Sequence, residues 1–343
     1  KRAANVVIQD NLNYSFGGRT FGSPETDRPG PKDMRLAIVT SSNVYFYSLA
    51  NEMGVDLIHD QLEPFGLGRL TGIDLQGEVT GDLPSQAWKR KKFRKPEQQK
   101  WFPGETISLG IGQGYNNFTM LQMATAYSTL ASGGLRFKPH LVREIKDAVQ
   151  HTSLKLESDA LEPLPLKPEH VEVIRNAMHG VTLEGTSSRV FAGAAYTSGG
   201  KTGTAQAVGL RAGERYSSVK ADEHKRDHAL YVAFAPIENP TIALAVIVEN
   251  AGWGSGSAAP IARRVFDYWL LGQYPNAEDM AAVRKGLAAA PIGKPLAAAD
   301  VPWPRSAATA AFVTPAANAP AAPASAPKPP VSAPARTAAA APR

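Results

Sequence analysis

The sequence predicts an α/β (α+β) fold in which an antiparallel sheet is flanked by helices. Three stretches carry that expectation. Residues 241–249 contain Ile242-Ala243-Leu244-Ala245-Val246-Ile247-Val248, an almost unbroken apolar run of the kind found in a strand buried on both faces. Residues 228–235 form a second strand, with Leu230 and Val232 facing together. Only Pro236-Ile237-Glu238-Asn239-Pro240 separates the two, which predicts a hairpin. Residues 196–208 supply a third, glycine-rich strand. Glycine weakens a strand interior and is kept where something approaches the backbone closely.

The helices follow from apolar spacing. Residues 1–32 are rich in Gly, Pro, Asn and Asp and read as a loop, with turn signals at Gly17-Gly18 and Pro29-Gly30-Pro31. From Lys32, Met34, Ala37 and Ile38 share a helical face. The pattern breaks at Thr40-Ser41-Ser42-Asn43, resumes with Val44, Tyr47, Ala50 and Met53, and stops at Gly54. Ser and Asn compete with the backbone for hydrogen bonds, so they suit a break; taken alone, Ser41 or Asn43 reads as the cap of the second helix. Residues 56–85 give a short helix and glycine-punctuated turns. Residues 106–115 resemble a tight glycine loop, without the spacing of a dinucleotide fingerprint. Thr119 and Gln122 spell a capping box ahead of a helix that ends at Gly133-Gly134. Residues 137–167 read as short strands and loops. Pro168 opens a helix with Val171, Ile174, Met178 and Val181 on one face. Ser257 is expected to cap the last helix, with Ile261, Val265 and Tyr268 inward.

Composition narrows the function. The 343 residues are 43% hydrophobic and 20% charged, ordinary for a globular protein. There is no cysteine, which excludes disulfides and thiolate metal sites. His170 and His179 lack the spacing of a metal pair and read as surface residues. No cofactor or metal is expected. The formal charge is +6, and Lys89-Arg90-Lys91-Lys92-Phe93-Arg94-Lys95 is a dense basic block. No nucleic-acid motif accompanies it, so it reads as a solvated surface loop. No apolar run is long enough to span a bilayer. The chain begins Lys1-Arg2-Ala3-Ala4, without Met, and reads as a fragment whose anchor would lie upstream. Residues 275–343, mostly Ala and Pro at their far end, are expected to form a disordered tail after a folded part over 1–274.

The chemistry gathers in two motifs. Lys201-Thr202-Gly203-Thr204 places a cation, hydroxyls and bare backbone on a strand, a set suited to a carboxylate and to the oxygen of a carbonyl under attack. Ser41-Ser42-Asn43 sits in a break between helices. An S-x-N type motif and K-T-G accompany S-x-x-K in β-lactamases and penicillin-binding proteins. These motifs, with residues 66–75, 110–115, 201–206 and 226–250, make the chain resemble the transpeptidase domain of class B penicillin-binding proteins, and its elongation-specific members most, over roughly residues 1–272.

The resemblance implies a penicillin-binding transpeptidase / serine β-lactamase-like fold and a D,D-transpeptidase that crosslinks peptidoglycan stem peptides through a serine acyl-enzyme. Its ligands would be stem peptides and β-lactams. Its partner would be a polytopic membrane glycosyltransferase of the elongation machinery, at the periplasmic face of the inner membrane. By the same resemblance Ser41 relays a proton to the departing amine and Asn43 holds a ligand amide. Lys201 supplies positive potential, Thr202 and Thr204 bind the carboxylate, Gly203 keeps the strand bare, and the Thr204 N–H serves as an oxyanion donor. The family's S-x-x-K is missing from the residues before Ser41. Ser198-Gly199-Gly200-Lys201 and Ser217-Ser218-Val219-Lys220 match its spelling, but a strand sends positions i and i+3 to opposite faces and the second lies in a polar loop. The nucleophile is therefore expected outside this chain, leaving the chain alone inactive. The alternative is a transpeptidase-like sensor or binding module with no nucleophile at all.

Overall fold

In the computed structural model, which describes residues 2–23, 27–207, 222–284 and 296–297, the first stretch is β-ribbon and not loop. Ile8–Asp10 (β1) pairs antiparallel with Gly30–Lys32 (β4), and Asn13–Phe16 (β2) pairs with Arg19–Gly22 (β3) around the Gly17-Gly18 turn. Tyr14 and Phe16 alternate on β2. Together with Phe21 they pack on Tyr47 and Ile107, which gives this short ribbon its own apolar anchor.

Met34–Thr40 (α1) and Asn43–Met53 (α2) follow the expected break, and Gly54 ends α2 at φ 77°. Val55–Leu62 (α3) leads into glycine turns. The basic block is helical over Gln86–Lys92 (α4), followed by Pro96–Gln99 (α5) and Pro103–Leu109 (α6). The block is a helix and not a loop over Gln86–Lys92, and the solvated reading fails at Lys89, only 3% exposed, while Arg90, Lys91, Lys92, Arg94 and Lys95 are exposed as expected. The Lys89 ammonium donates to both Glu105 oxygens and to Lys100 O, and it lies 5.4 Å from the ring centres of Trp101 and Tyr115. Paired charge and aromatic faces replace its water. Residues 106–109, expected in a tight loop, complete α6, and the turn begins at Gly110.

Met120–Ala131 (α7) carries the capping box, with reciprocal Thr119–Gln122 bonds of 3.0 and 3.1 Å. Arg136–Phe137 (β5) pairs with Ala160–Leu161 (β8), and Glu144–Asp147 (β6) with Thr152–Lys155 (β7). Pro168–Leu183 (α8) buries Val171, Ala177, Met178 and Val181. His179 is no free surface residue, because its Nδ1 lies 2.9 Å from Ser198 O. Ser188–Phe191 (α9) is a single turn.

Gly199–Ala205 (β9), His228–Ala235 (β10) and Ile242–Val248 (β11) form the antiparallel sheet in the order β11-β10-β9. Gly199 faces Phe234, Thr202 faces Tyr231 and Ala205 faces His228. The expected strand 196–208 starts only at Gly199, because its partner β10 ends at Ala235 before Pro236, which has no N–H to continue the ladder; residues 208–221 lie outside those described. The central strand β10 is the doubly buried one. β11 is an outer strand whose even-numbered residues pack on the helix described next, while Ile247 on the other face is 41% exposed.

Gly254–Leu271 (α10) begins earlier than Ser257, since Gly254 lies directly on the Gly203 and Leu230 backbone. Its inward residues are Ala258, Ala259, Ala262 and Phe266; Val265 and Tyr268, expected inside, are exposed. Small residues win that face because the helix sits close to the sheet. Gln273–Tyr274 (β12) pairs with Leu296–Ala297 (β13), and Ala277–Arg284 (α11) is held by an Arg264–Asp279 ion pair. The disordered tail expected over 275–343 therefore does not begin at 275, since Ala277–Arg284 is helical and Leu296–Ala297 is paired; its remaining residues from 285 on lie outside those described. One sheet face thus carries α9 and α10, and the other carries α1, α7 and α8.

The glycines of β9 make the sheet possible. A Cβ on Gly200 would lie 2.0 Å from the hydroxyl of fully buried Tyr231, and one on Gly203 would lie 3.2 Å from Leu230 Cβ. Gly200→Ala should therefore cost about 1–3 kcal/mol of stability, the scale of overpacking, and Gly203→Ala less. Denaturant unfolding midpoints of the two variants test this; equal losses would show that the Tyr231 ring gives way.

Candidate functional site

The site is assembled from the α1–α2 break, the turn after α6 and the open edge of β9. Ser41 follows α1 in the left-handed region, at φ 59° and ψ 43°. That conformation is uncommon for a side chain other than Gly, Asn or Asp. Helix α2 is capped by Ser42, whose Oγ accepts from Tyr45 N at 3.2 Å. The cap is neither Ser41 nor Asn43, and this leaves both of those side chains free of capping duty. Ser42 also donates to Asp10, which is fully buried and accepts Leu12 N–H at 2.8 Å. Lys32 lies 3.8 Å from Asp10 and donates to Thr40 Oγ1 at 3.1 Å. A closed polar cluster therefore fixes the break from below.

Lys201 Nζ donates to Ser41 Oγ at 2.7 Å, although 160 residues separate the two. It also donates to Thr202 O at 3.0 Å. Burial pushes the Lys201 ammonium down to about 8, against the pull of nearby Asp27 toward the charged form. Asp27 is itself held above the usual carboxylate range by burial, and proximity to Asp10 adds to this, while Ser23, Lys32 and Lys201 oppose it. Asn43, at the start of α2, reaches the Tyr47 hydroxyl one turn on. That hydroxyl is pushed up by burial, and its bond from Asn43 works the other way.

On β9 alternate residues face opposite sides of the sheet. Lys201 points to the α1 side. The Thr202 hydroxyl, on the other side, lies 3.0 Å from that of Thr186 in the turn after α8. Thr202 is thus not part of the Lys201–Ser41 contact, and Thr204 shares its face. Gln113 Nε2 donates to Thr204 O at 2.7 Å. In an antiparallel ladder a residue's N–H and C=O point the same way, toward the partner strand or away from it. The Thr202 and Thr204 carbonyls are taken by side chains, so both residues turn their backbone groups away from β10. Their N–H groups lie on the open edge.

Sequence reasoning missed Gln113, Asp27, Thr186 and the Asp10–Lys32–Ser42 cluster. Only Gln113 left a signal, in the glycines on either side of it. Ser198 is buried at the start of β9, with its carbonyl bound by His179 and Thr182, and Ser217 lies outside the described residues. Among the described residues no cluster of His, Asp or Glu is arranged to hold a metal, and no helix is long and apolar enough to cross a membrane.

The family model for the penicillin binding protein transpeptidase domain matches residues 4–267. Over 253 residues the chain is 39% identical to the peptidoglycan D,D-transpeptidase MrdA of Haemophilus influenzae, covering 73% of this chain and 38% of that protein. The crystal structure of Pseudomonas aeruginosa PBP2 in complex with WCK 5153 is similar at TM-score 0.64 and 35% identity, covering 78% of this chain and 54% of that one. A peptidoglycan synthase complex that coordinates polymerization and crosslinking contains a chain similar at TM-score 0.64 and 28% identity, covering 79% of this chain and 43% of that one. The chain spans less than half the length of the curated relative it matches.

The lowered pKa of Lys201 has a thermodynamic sign. Between about 8 and 10.5 the folded protein binds fewer protons at this lysine than the unfolded chain does, so stability rises with pH across that window. Below it both states are protonated and burial of the charge counts against the fold. Lys201→Met should flatten this rise in an unfolding series across those pH values. An unaltered profile would show that Lys201 does not lose its proton there.

Proposed function

The chain belongs to the penicillin-binding protein transpeptidase domain family, and on that premise we propose that it is the C-terminal part of a D,D-transpeptidase that crosslinks peptidoglycan stem peptides. The observation that carries this reading is the Lys201–Ser41 bond beside the open edge of β9.

The chemistry follows from these groups. An attacking serine gives its hydroxyl proton to the lysine of its own S-x-x-K motif and adds to the penultimate D-Ala carbonyl, and the oxyanion meets the outward N–H of Thr204 and the N–H of the serine itself. The tetrahedral adduct collapses, its C–N bond breaks, and the terminal D-Ala leaves as an amine that must gain a proton. Ser41 Oγ accepts from Lys201, so its own hydroxyl proton is free to pass to that nitrogen, and Lys201 restores it. An ammonium with a pKa of about 8 is suited to giving up a proton near neutral pH. An amine of a second stem peptide then takes the acyl group and regenerates the serine. Asn43, two residues from Ser41, holds a ligand amide in this reading, in exchange for its bond to the Tyr47 hydroxyl. In this reading the Thr202 and Thr204 hydroxyls, on the sheet face opposite Lys201, hold the terminal carboxylate at the strand edge, and Thr202 turns to it from Thr186. β-Lactams enter the same path as acylating agents.

The attacking serine comes in this reading from outside residues 1–343, since no S-x-x-K precedes Ser41 and Ser198 is buried at the start of β9. The protein works at the periplasmic face of the inner membrane beside a membrane glycosyltransferase. The similarity to a complex that couples polymerization to crosslinking supports that pairing.

Intact-mass spectrometry tests the proposal. The full-length protein should gain the mass of one penicillin per chain, and residues 1–343 alone should gain none, because an unactivated hydroxyl is a poor nucleophile. Lys201→Ala in the full-length protein should slow acylation at least about tenfold, a modest loss for a group that stabilises developing charge. An unlabelled full-length protein would favour the sensor or binding-module reading. An adduct on residues 1–343, mapped to Ser41 or Ser198, would overturn the placement of the nucleophile.

A further inference from the structure

Strand β9 is an outer strand, and its edge presents the backbone groups of Thr202 and Thr204. Both outward carbonyls already have donors. Thr202 O is bound by Lys201 Nζ and Thr204 O by Gln113 Nε2. The edge therefore offers free N–H donors, while each of its acceptors already holds one donor. A peptide-like ligand laid along an edge strand brings alternating C=O and N–H groups. Its C=O meets the Thr204 N–H without any rearrangement. Its N–H meets a Thr204 carbonyl that already holds one donor, so the two must share the oxygen or one must give way.

The two donors differ in how they are held. Lys201 belongs to β9 itself and is also bound to Ser41. Gln113 comes from a turn 91 residues away in sequence, and its single long-range bond is the one to Thr204. The turn is fixed at both ends. Gly110 lies so close to α2 that a Cβ there would come within 2.5 Å of Phe46 O. Tyr115 packs among Trp88, Phe93 and Trp101 and donates to Glu105 at 3.2 Å. Gly112 and Gly114, at φ 78° and 76°, bracket Gln113. The backbone is held, and a side-chain rotation alone withdraws the carboxamide.

We propose that Gln113 is a specificity-determining residue that caps the Thr204 carbonyl and competes with ligand N–H groups for it. The site then distinguishes acyl donors by whether they place an amide N–H opposite Thr204. Donors that do so share the carbonyl with Gln113 or displace it, and either weakens the pairing; donors without that group acylate with the cap undisturbed. This inference rests on the transpeptidase reading above.

The test compares two acylating agents on the full-length protein. A penicillin carries an acylamino side chain, and a carbapenem carries a hydroxyethyl group in its place. Gln113→Ala removes the competing donor, so the ratio of the penicillin to the carbapenem second-order acylation constant should rise roughly three- to tenfold, the scale of one net hydrogen bond. Gln113→Asn, one methylene too short to reach, should shift the ratio the same way and carries the test if the alanine variant does not fold. A ratio that stays constant or falls, in a wild-type protein that both compounds acylate, would overturn this inference alone. A wild-type protein that neither compound acylates would overturn the transpeptidase reading and this inference with it.

Discussion

Bare backbone along β9 is the constraint on which the rest of the site depends. The ring of Phe234 lies against Gly199 and that of Tyr231 against Gly200, while Gly254 of α10 lies against Gly203. Each contact is closer than a side chain permits. The consequences run outward from there. Tyr231, lying across Gly200, reaches Ser187 with its hydroxyl at 2.8 Å. That fixes the turn after α8, and the same turn brings Thr186 to the Thr202 hydroxyl. Helices on both faces come near enough to hold the strand while its outer edge stays free.

Two lysines near the α1–α2 break show how burial and pairing divide the work. Lys32 is enclosed with Asp10, and every bond it makes serves the shape of the break. Lys201 is enclosed with a hydroxyl in place of a carboxylate, and the pull of Asp27 does not cancel the effect of burial. The first arrangement serves the shape of the break. The second keeps a proton that can be lost near neutral pH. The difference lies in what stands beside each ammonium, since both are lysines withdrawn from water.

Much of the fold was legible because its signals are local. The capping box at Thr119, the stop at Gly54 and the hairpin of β10 and β11 are each written within a few residues. The motifs at Ser41 and Lys201 could be read from residue type and from the family resemblance. What escaped was set by contacts distant in sequence. Nothing beside Lys89 announces that Glu105 and Tyr115 will enclose it, so a basic block reads as solvated. The apolar residues Ile261, Val265 and Tyr268 look inward by spacing, yet the close seat of α10 on the sheet favours alanines there. Ser42, the unremarked middle residue of its motif, turned out to be the cap because only the path of the chain decides which of three polar side chains faces the exposed N–H groups.

The backbone at Ser41 also narrows the evolutionary options at that position. A left-handed φ of 59° is accepted by Gly, Asn and Asp and is a severe outlier for β-branched residues. The Lys201 contact asks for a small hydroxyl. Threonine satisfies the second demand and violates the first; glycine and asparagine satisfy the first and discard the hydroxyl. The usual conservative exchange is thereby closed, and serine at this position stands isolated in sequence space. Drift at the site must proceed through its neighbours while residue 41 stays as it is.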